Sequence, residues 1–208
     1  MSPSNNTGDT DGNITFSYNV SDFLGLKNCT LLINNATNQT NSTITKNTKQ
    51  NITVTNLAIG NYNWTTQCID GFNNTGGTNT RQFTVTRMTK YTGATTDLST
   101  VGDISNITNF VIENTSAGKI NFSVSVNLSG GVDVDSYVTI QNNHVEVDST
   151  NLPALNKAAR ISIFNLTLEN PEPLKDNVLC SACTEVSYLN GVFVFDATSF
   201  SVYSAGET

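Results

Sequence analysis

The chain has 208 residues, of which 37% are hydrophobic, enough for one large or two small domains with buried cores. Only 13% are charged, about half the usual share, and 30 Asn, 19 Ser and 31 Thr fill the gap. Net charge is −7 and the ten Lys and Arg are scattered, which argues against nucleic acid or anionic lipid as partners. No apolar run approaches the length needed to span a bilayer, so no direct membrane insertion is expected. Met1 leads into polar "SPSNNTGDTDGN", which is no signal peptide, so the chain reads as a segment of a longer secreted protein.

Alternation at period two dominates, and no long helical pattern appears. A short strand is expected near Ser2–Asn6. In "NITFSYNV", Ile14, Phe16, Tyr18 and Val20 share a face; in "NCTLLIN", Cys29, Leu31 and Ile33 do. "NITVTNL" offers Ile52 and Val54, "NYNWTTQC" offers Tyr62, Trp64, Thr66 and Cys68, and "RQFTVT" offers Phe83 and Val85. Six or seven strands in residues 1–87 is the density of an immunoglobulin-like sandwich. Residues 88–103 lose the alternation and read as a linker. From 104 to 208 the pattern restarts: "NFVIE", then "KINFSVSVNL" with Ile120, Phe122, Val124, Val126 and Leu128 on one face. "YVTIQ", "HVEVD", "ARISIFNLTL", "TEVSY", "VFVFDA" and "FSVYS" follow, while "LENPEPLKDN", with two prolines, reads as a loop. The expected fold is all-β: two tandem β-sandwich domains, the first immunoglobulin-like.

The N-glycan acceptor pattern Asn-x-Ser/Thr starts at Asn5, Asn13, Asn19, Asn28, Asn35, Asn38, Asn41, Asn51, Asn63, Asn73, Asn106, Asn114, Asn121, Asn127 and Asn165. With 50 Ser and Thr in 208 residues, 30 Asn would start about 7 such patterns by composition alone; fifteen is twice that. In a strand, residues i and i+2 share one face and the middle residue takes the other. Ten middle residues are apolar: Ile14, Val20, Cys29, Ala36, Ile52, Trp64, Ile107, Phe122, Leu128 and Leu166. Each such triplet reads as a half-buried strand with its acceptor in solvent. Covalent N-glycans are therefore the expected partners.

Cys29 and Cys68 both fall on the buried phase of their strands and are expected to form a disulfide in a secreted protein. Cys180 and Cys183 form C-x-x-C. A redox site would need a helix N-terminus, and zinc would need two more ligands, with His144 the only histidine; a small disulfide tying a turn is the expectation. His144 sits in "NNHVEVD" and reads as an exposed strand residue. No G-x-S-x-G, P-loop or H-E-x-x-H occurs, so no enzyme, cofactor or metal is expected. Asp133 and Asp135 would share a solvated strand rim. "DTDGN" at 9–13 resembles the start of a calcium loop but lacks the distal Glu, and reads as a turn. Trp64, in phase with Cys68, is a core residue.

The segment "NYNWTTQCIDGFNNTGGTNTRQFTVT", through Tyr62, Trp64, Cys68, Asp70, the turn at 74–76 and Phe83–Thr84–Val85, resembles the closing strands of immunoglobulin-like, fibronectin-III-like repeats of archaeal and bacterial surface proteins. "VNLSGGVDVDSYVTI", the C-x-x-C and "FSVYSAGET" are similar to a companion module of archaeal surface glycoproteins. The resemblance implies an extracellular, cell-surface role without an active site: a structural display segment of a surface layer, stalk or filament, with copies of itself as possible partners. An adhesin module and a strand-donating filament subunit are the alternative readings.

Overall fold

The computed structural model describes residues 1–21 and 25–207; Thr208, which closes the last motif above, lies outside them. The fold is all-β, with sheets packed face to face in two compact units.

The first unit carries eight strands: β1 (Thr7–Asp9), β2 (Ile14–Asn19), β3 (Leu26–Ile33), β4 (Ala36–Asn41), β5 (Lys49–Val54), β6 (Gly60–Asp70), β7 (Thr75–Gly77) and β8 (Arg81–Val85). One sheet runs β1-β8-β6-β3-β4, with β7 also paired to β6; β2 and β5 form the other. Strand β1 lies parallel to β8, Thr7 opposite Phe83, and every other pair in the unit is antiparallel. The first strand thus begins at Thr7 rather than in Ser2–Asn6, where Ser2 makes only an isolated bridge to Ser17. The apolar phases read from the sequence meet in one core. Phe16 stands edge-on to Trp64 at 5.1 Å and to Phe83 at 5.6 Å, and Leu31 and Cys29 are fully buried beside them. Gly12 turns the chain into β2 with φ +76°, where a Cβ would lie 2.3 Å from the Leu57 carbonyl.

The second unit carries β9 (Val111–Asn114), β10 (Gly118–Phe122), the four-residue helix α1 (Val134–Tyr137), β11 (Val138–Gln141), β12 (His144–Val147), β13 (Ala159–Ile163), β14 (Glu172–Lys175), β15 (Val178–Leu179), β16 (Thr184–Leu189), β17 (Val192–Ala197) and β18 (Val202–Gly206). Two five-stranded sheets, β16-β17-β13-β10-β9 and β11-β12-β18-β14-β15, enclose a core of Phe110, Phe122, Phe195, Phe200 and Tyr203. Asn190 and Gly191, both at positive φ, make the two-residue turn of the β16–β17 hairpin.

Four further expectations change. The strand through "KINFSVSVNL" stops at Phe122; Val124 is 45% exposed, while Val126 and Leu128 return to the core from an irregular segment. The proline-bearing "LENPEPLKDN" contains β14. Pro173 fits there because its carbonyl faces β15 and accepts from Cys180 N at 2.8 Å; its missing N–H falls on that same side, where the partner strand ends. Asp133 and Asp135 occupy no strand rim: they start α1. Finally, 88–103 divides between the units. Residues 87–97 belong to the second and 98–104, with 129–131, to the first. Gly8 N donates to Leu98 O (2.9 Å), Ile104 N donates to Asn6 O (2.9 Å), and the Leu98 side chain is fully buried.

Leu98 therefore tests the boundary. Leu98→Ala should destabilise the first unit by about 2–4 kcal/mol, read through the fluorescence of its single Trp64 in denaturant. A true linker residue would leave that transition unmoved.

Candidate functional site

The fifteen acceptor asparagines are the largest set of related side chains on this protein. None is buried: ten are exposed and five are half-buried. Eight of the ten apolar middle residues are buried, Val20 and Ala36 being the exceptions. The geometry is clearest on the β2–β5 sheet. Thr15 and Thr53, each the closing residue of an acceptor triplet, hydrogen-bond across the strands at 3.0 Å, and Ser17 Oγ donates to Asn51 Oδ1 at 2.8 Å. Ile14 and Ile52, between them in sequence, point to the core. Edge strand β4 is polar after Ala36, and Asn35, Asn38 and Asn41 place three consecutive triplets on or beside it.

The nitrogen that would carry a sugar is already committed at Asn41, where Nδ2 donates to Gln50 Oε1 at 3.4 Å, and more closely at two further positions. Asn114 Nδ2 donates to Ile140 O and Asn165 Nδ2 to Ser116 O, both at 2.9 Å. Asparagine also has a second use that composition conceals. Every non-glycine residue at positive φ among the described residues is Asn or Asp, and eleven are Asn.

Asp70 organises the β6–β7 turn. Its carboxylate accepts from Phe72 N and Asn74 N, both at 2.8 Å, and from Asn74 Nδ2 at 2.7 Å. The Asn74 side chain, helped by the two backbone N–H groups, holds this carboxyl below its ordinary value of 3.8. Asp9 works similarly in "DTDGN", accepting from Gly12 N at 2.6 Å and Asp11 N at 3.2 Å, so this segment is a turn closed on its own backbone. An open cleft of about 380 Å³ between Tyr18, Leu26, Thr66, Cys68 and Asp70 is the main concavity described in the first unit.

The cysteines pair as Cys29–Cys68 and Cys180–Cys183. Cys29 lies directly opposite Cys68 on adjacent strands β3 and β6, so the bond joins neighbours in one sheet. Cys180–Cys183 ties the turn between β15 and β16, with no helix beside it. These strands border one side of the second unit and expose Val178, Leu179, Val186 and Leu189. No acceptor triplet follows Asn165, so this side carries none within either strand.

His144 lies on β12, half-exposed, 3.2 Å from Glu146. Asp135 is a feature the sequence reading missed. It is 6% exposed, and its carboxylate accepts from Thr89 N (3.0 Å), Thr89 Oγ1 (2.7 Å) and Lys90 N (3.1 Å). Asp133 caps the helix by accepting from Ser136 N (3.0 Å) and meets Arg87 at 3.3 Å. The signal was present as Asp133 three residues ahead of Ser136, but the alternating valines outweighed it. Among the described residues no three His, Cys, Asp or Glu side chains gather as a metal site, and no helix is long and apolar enough to cross a membrane.

No protein-family model matches the sequence, and no curated protein is similar to it. Among solved structures, a mutant Nup145N APD fused to Nup145C N, from Chaetomium thermophilum, is similar over 47% of this chain and 82% of that one, at 19% identity and a TM-score of 0.37. A superposition that loose carries no argument about this chain.

Two predictions follow from the turn and the bond. Because its folded-state pKa is depressed, Asp70 contributes stability above about pH 4 that is lost as pH falls through the folded value. Asp70→Asn should flatten the acid limb of the Trp64-monitored melting curve between pH 5 and 2; an equally steep limb would contradict this. Replacing Cys29 and Cys68 together by Ala opens a loop spanning 39 residues and should cost the first unit roughly 3–4 kcal/mol in urea unfolding.

Proposed function

We propose that this chain is a structural display segment of a glycosylated, extracellular cell-surface protein, of surface-layer, stalk or filament type, with no catalytic role. The observation that carries the reading is the joint placement of acceptors and core. None of the fifteen acceptors is buried, while most of the apolar residues between Asn and Ser/Thr are. None of the fifteen other Asn is buried either, so the weight rests on the buried apolar residue between Asn and Ser/Thr. Two disulfides and the absence of a candidate membrane helix among the described residues are compatible with a protein outside the cell. The order β1-β8-β6-β3-β4 facing β2–β5 supports an immunoglobulin-like reading of the first unit. The archaeal surface-glycoprotein resemblance stays part of this proposal.

A second reading, lateral association with other copies or a neighbouring cell, is favoured by one observation. The β15–β16 side of the second unit combines exposed Val178, Leu179, Val186 and Leu189 with a sheet edge, and its two strands carry no acceptor. Protein purified from its own host should show an intact mass well above 22.4 kDa, with sugars mapped to several acceptors and lowest occupancy at Asn114 and Asn165. A bare 22.4 kDa chain from that source would refute the reading.

A further inference from the structure

We propose that Asn73 bears a glycan whose first sugar packs on the ring of Phe72, so that modification there stabilises the first unit instead of only coating it. The inference rests on the acceptor-array reading and extends it by naming what the sugar docks against.

Four acceptors directly follow an aromatic residue: Asn19 after Tyr18, Asn63 after Tyr62, Asn73 after Phe72 and Asn165 after Phe164. Within a strand, consecutive side chains leave on opposite faces. Tyr18 is accordingly 1% exposed, and Tyr62 is stacked on Phe83 at 5.2 Å. Phe164 is half-buried, and Asn165 has its Nδ2 committed to Ser116 O. Phe72 and Asn73 differ because they lie in the β6–β7 turn, outside any strand. Asn73 has φ +65°, so alternation no longer forces the two side chains apart. Phe72 is 70% exposed, as is Leu189, the highest values for large hydrophobic residues among the described residues.

An apolar ring left in water at that level is unfavourable unless something covers it. A pyranose is suited to cover it, since the C–H groups on one of its faces carry partial positive charge and the aromatic face is negative. The turn is also fixed before any sugar arrives. Asp70 takes Phe72 N, Asn74 N and Asn74 Nδ2, while Asn73 N donates to Asp70 O at 3.2 Å, so little ordering cost remains. Lys27 Nζ reaches Asn73 Oδ1 at 3.5 Å, on the oxygen and not on the nitrogen that takes the sugar. The modification is a glycosyl transfer from a lipid-linked sugar phosphate. The Asn73 Nδ2–C1 bond forms, the C1–O(phosphate) bond breaks, the lipid phosphate leaves, and one amide proton passes to the transferase base.

The test has two parts. Glycopeptide mapping of protein from its own host should find Asn73 occupied. The chain secreted from a glycosylating cell line, trimmed to one N-acetylglucosamine per site, is then melted as wild type, Phe72→Ala, Asn73→Gln and the double variant, with Trp64 fluorescence reporting. The sugar at Asn73 should raise Tm by about 3–8 °C, roughly three- to tenfold in the folding equilibrium, when Phe72 is present, and by nothing detectable in Phe72→Ala. Phe72→Tyr should retain the gain. An equal gain with Ala overturns the proposal. So does an unmodified Asn73 on protein whose other acceptors are occupied, and that result leaves the array reading intact. If no acceptor is occupied, the array reading fails and this inference fails with it.

Discussion

A β-strand can present the two ends of a three-residue motif to solvent only by pointing the middle residue the other way. The acceptors on strands depend on that constraint; those in turns, such as Asn73 and Asn165 at positive φ, do not. Ile14, Ile52, Trp64 and Phe122 are simultaneously core residues and the central residues of acceptor triplets. The same alternation that fills the core spaces the acceptors over the outside of the sheets. A chain so poor in charge needs another source of solubility, and Asn and Thr on the outer phase, with or without sugars, supply polar surface that does not titrate.

The edges of the two units are handled differently. Strand β4 borders the first unit's larger sheet with a sequence polar after Ala36 and three consecutive triplets, a device that keeps backbone groups from pairing with another chain. Strand β16 borders the second unit with Val186 and Leu189 in solvent and only a bulge between Glu185 and Ser187 to disturb its edge. Its far end is anchored by Tyr188, whose hydroxyl donates to Leu166 O and Leu168 O, so the strand is held in place by side-chain contacts while its outer backbone stays open.

Much of this was legible in the sequence because apolar alternation reports burial directly. Strands β2, β3, β5, β6, β8, β17 and β18 and the Cys29–Cys68 pair follow from it. What was hidden lacks that signal. Strand β4 is exposed on both faces and so shows no apolar period. The segment "VDVDSYV" alternates like a strand, yet Asp133 caps a helical turn and Asp135 is buried by hydrogen bonds from Thr89 and Lys90, forty-five residues or more away in sequence. Residues 88–103 offered isolated Met88 and Leu98, both buried, with no periodicity to announce them. Of the surface, the acceptor positions could be read but their accessibility could not, since the Nδ2 contacts of Asn114 and Asn165 are made by distant carbonyls.

The interleaved path of the chain has a consequence for biosynthesis. The first unit is complete only when residues 98–104 and 129–131 have arrived, although its last strand ends at Val85. At about 5–20 residues per second, the 46 residues from Thr86 to Gly131 take roughly 2–9 s to emerge. Until residue 98 emerges, early in that interval, the nascent sandwich has its strands but not Leu98, leaving a seat beside Gly8 open. An enzyme that modifies emerging asparagines would meet a module that is still ajar, and the order in which residues reach it, not only their final exposure, would shape the pattern of sugars laid down.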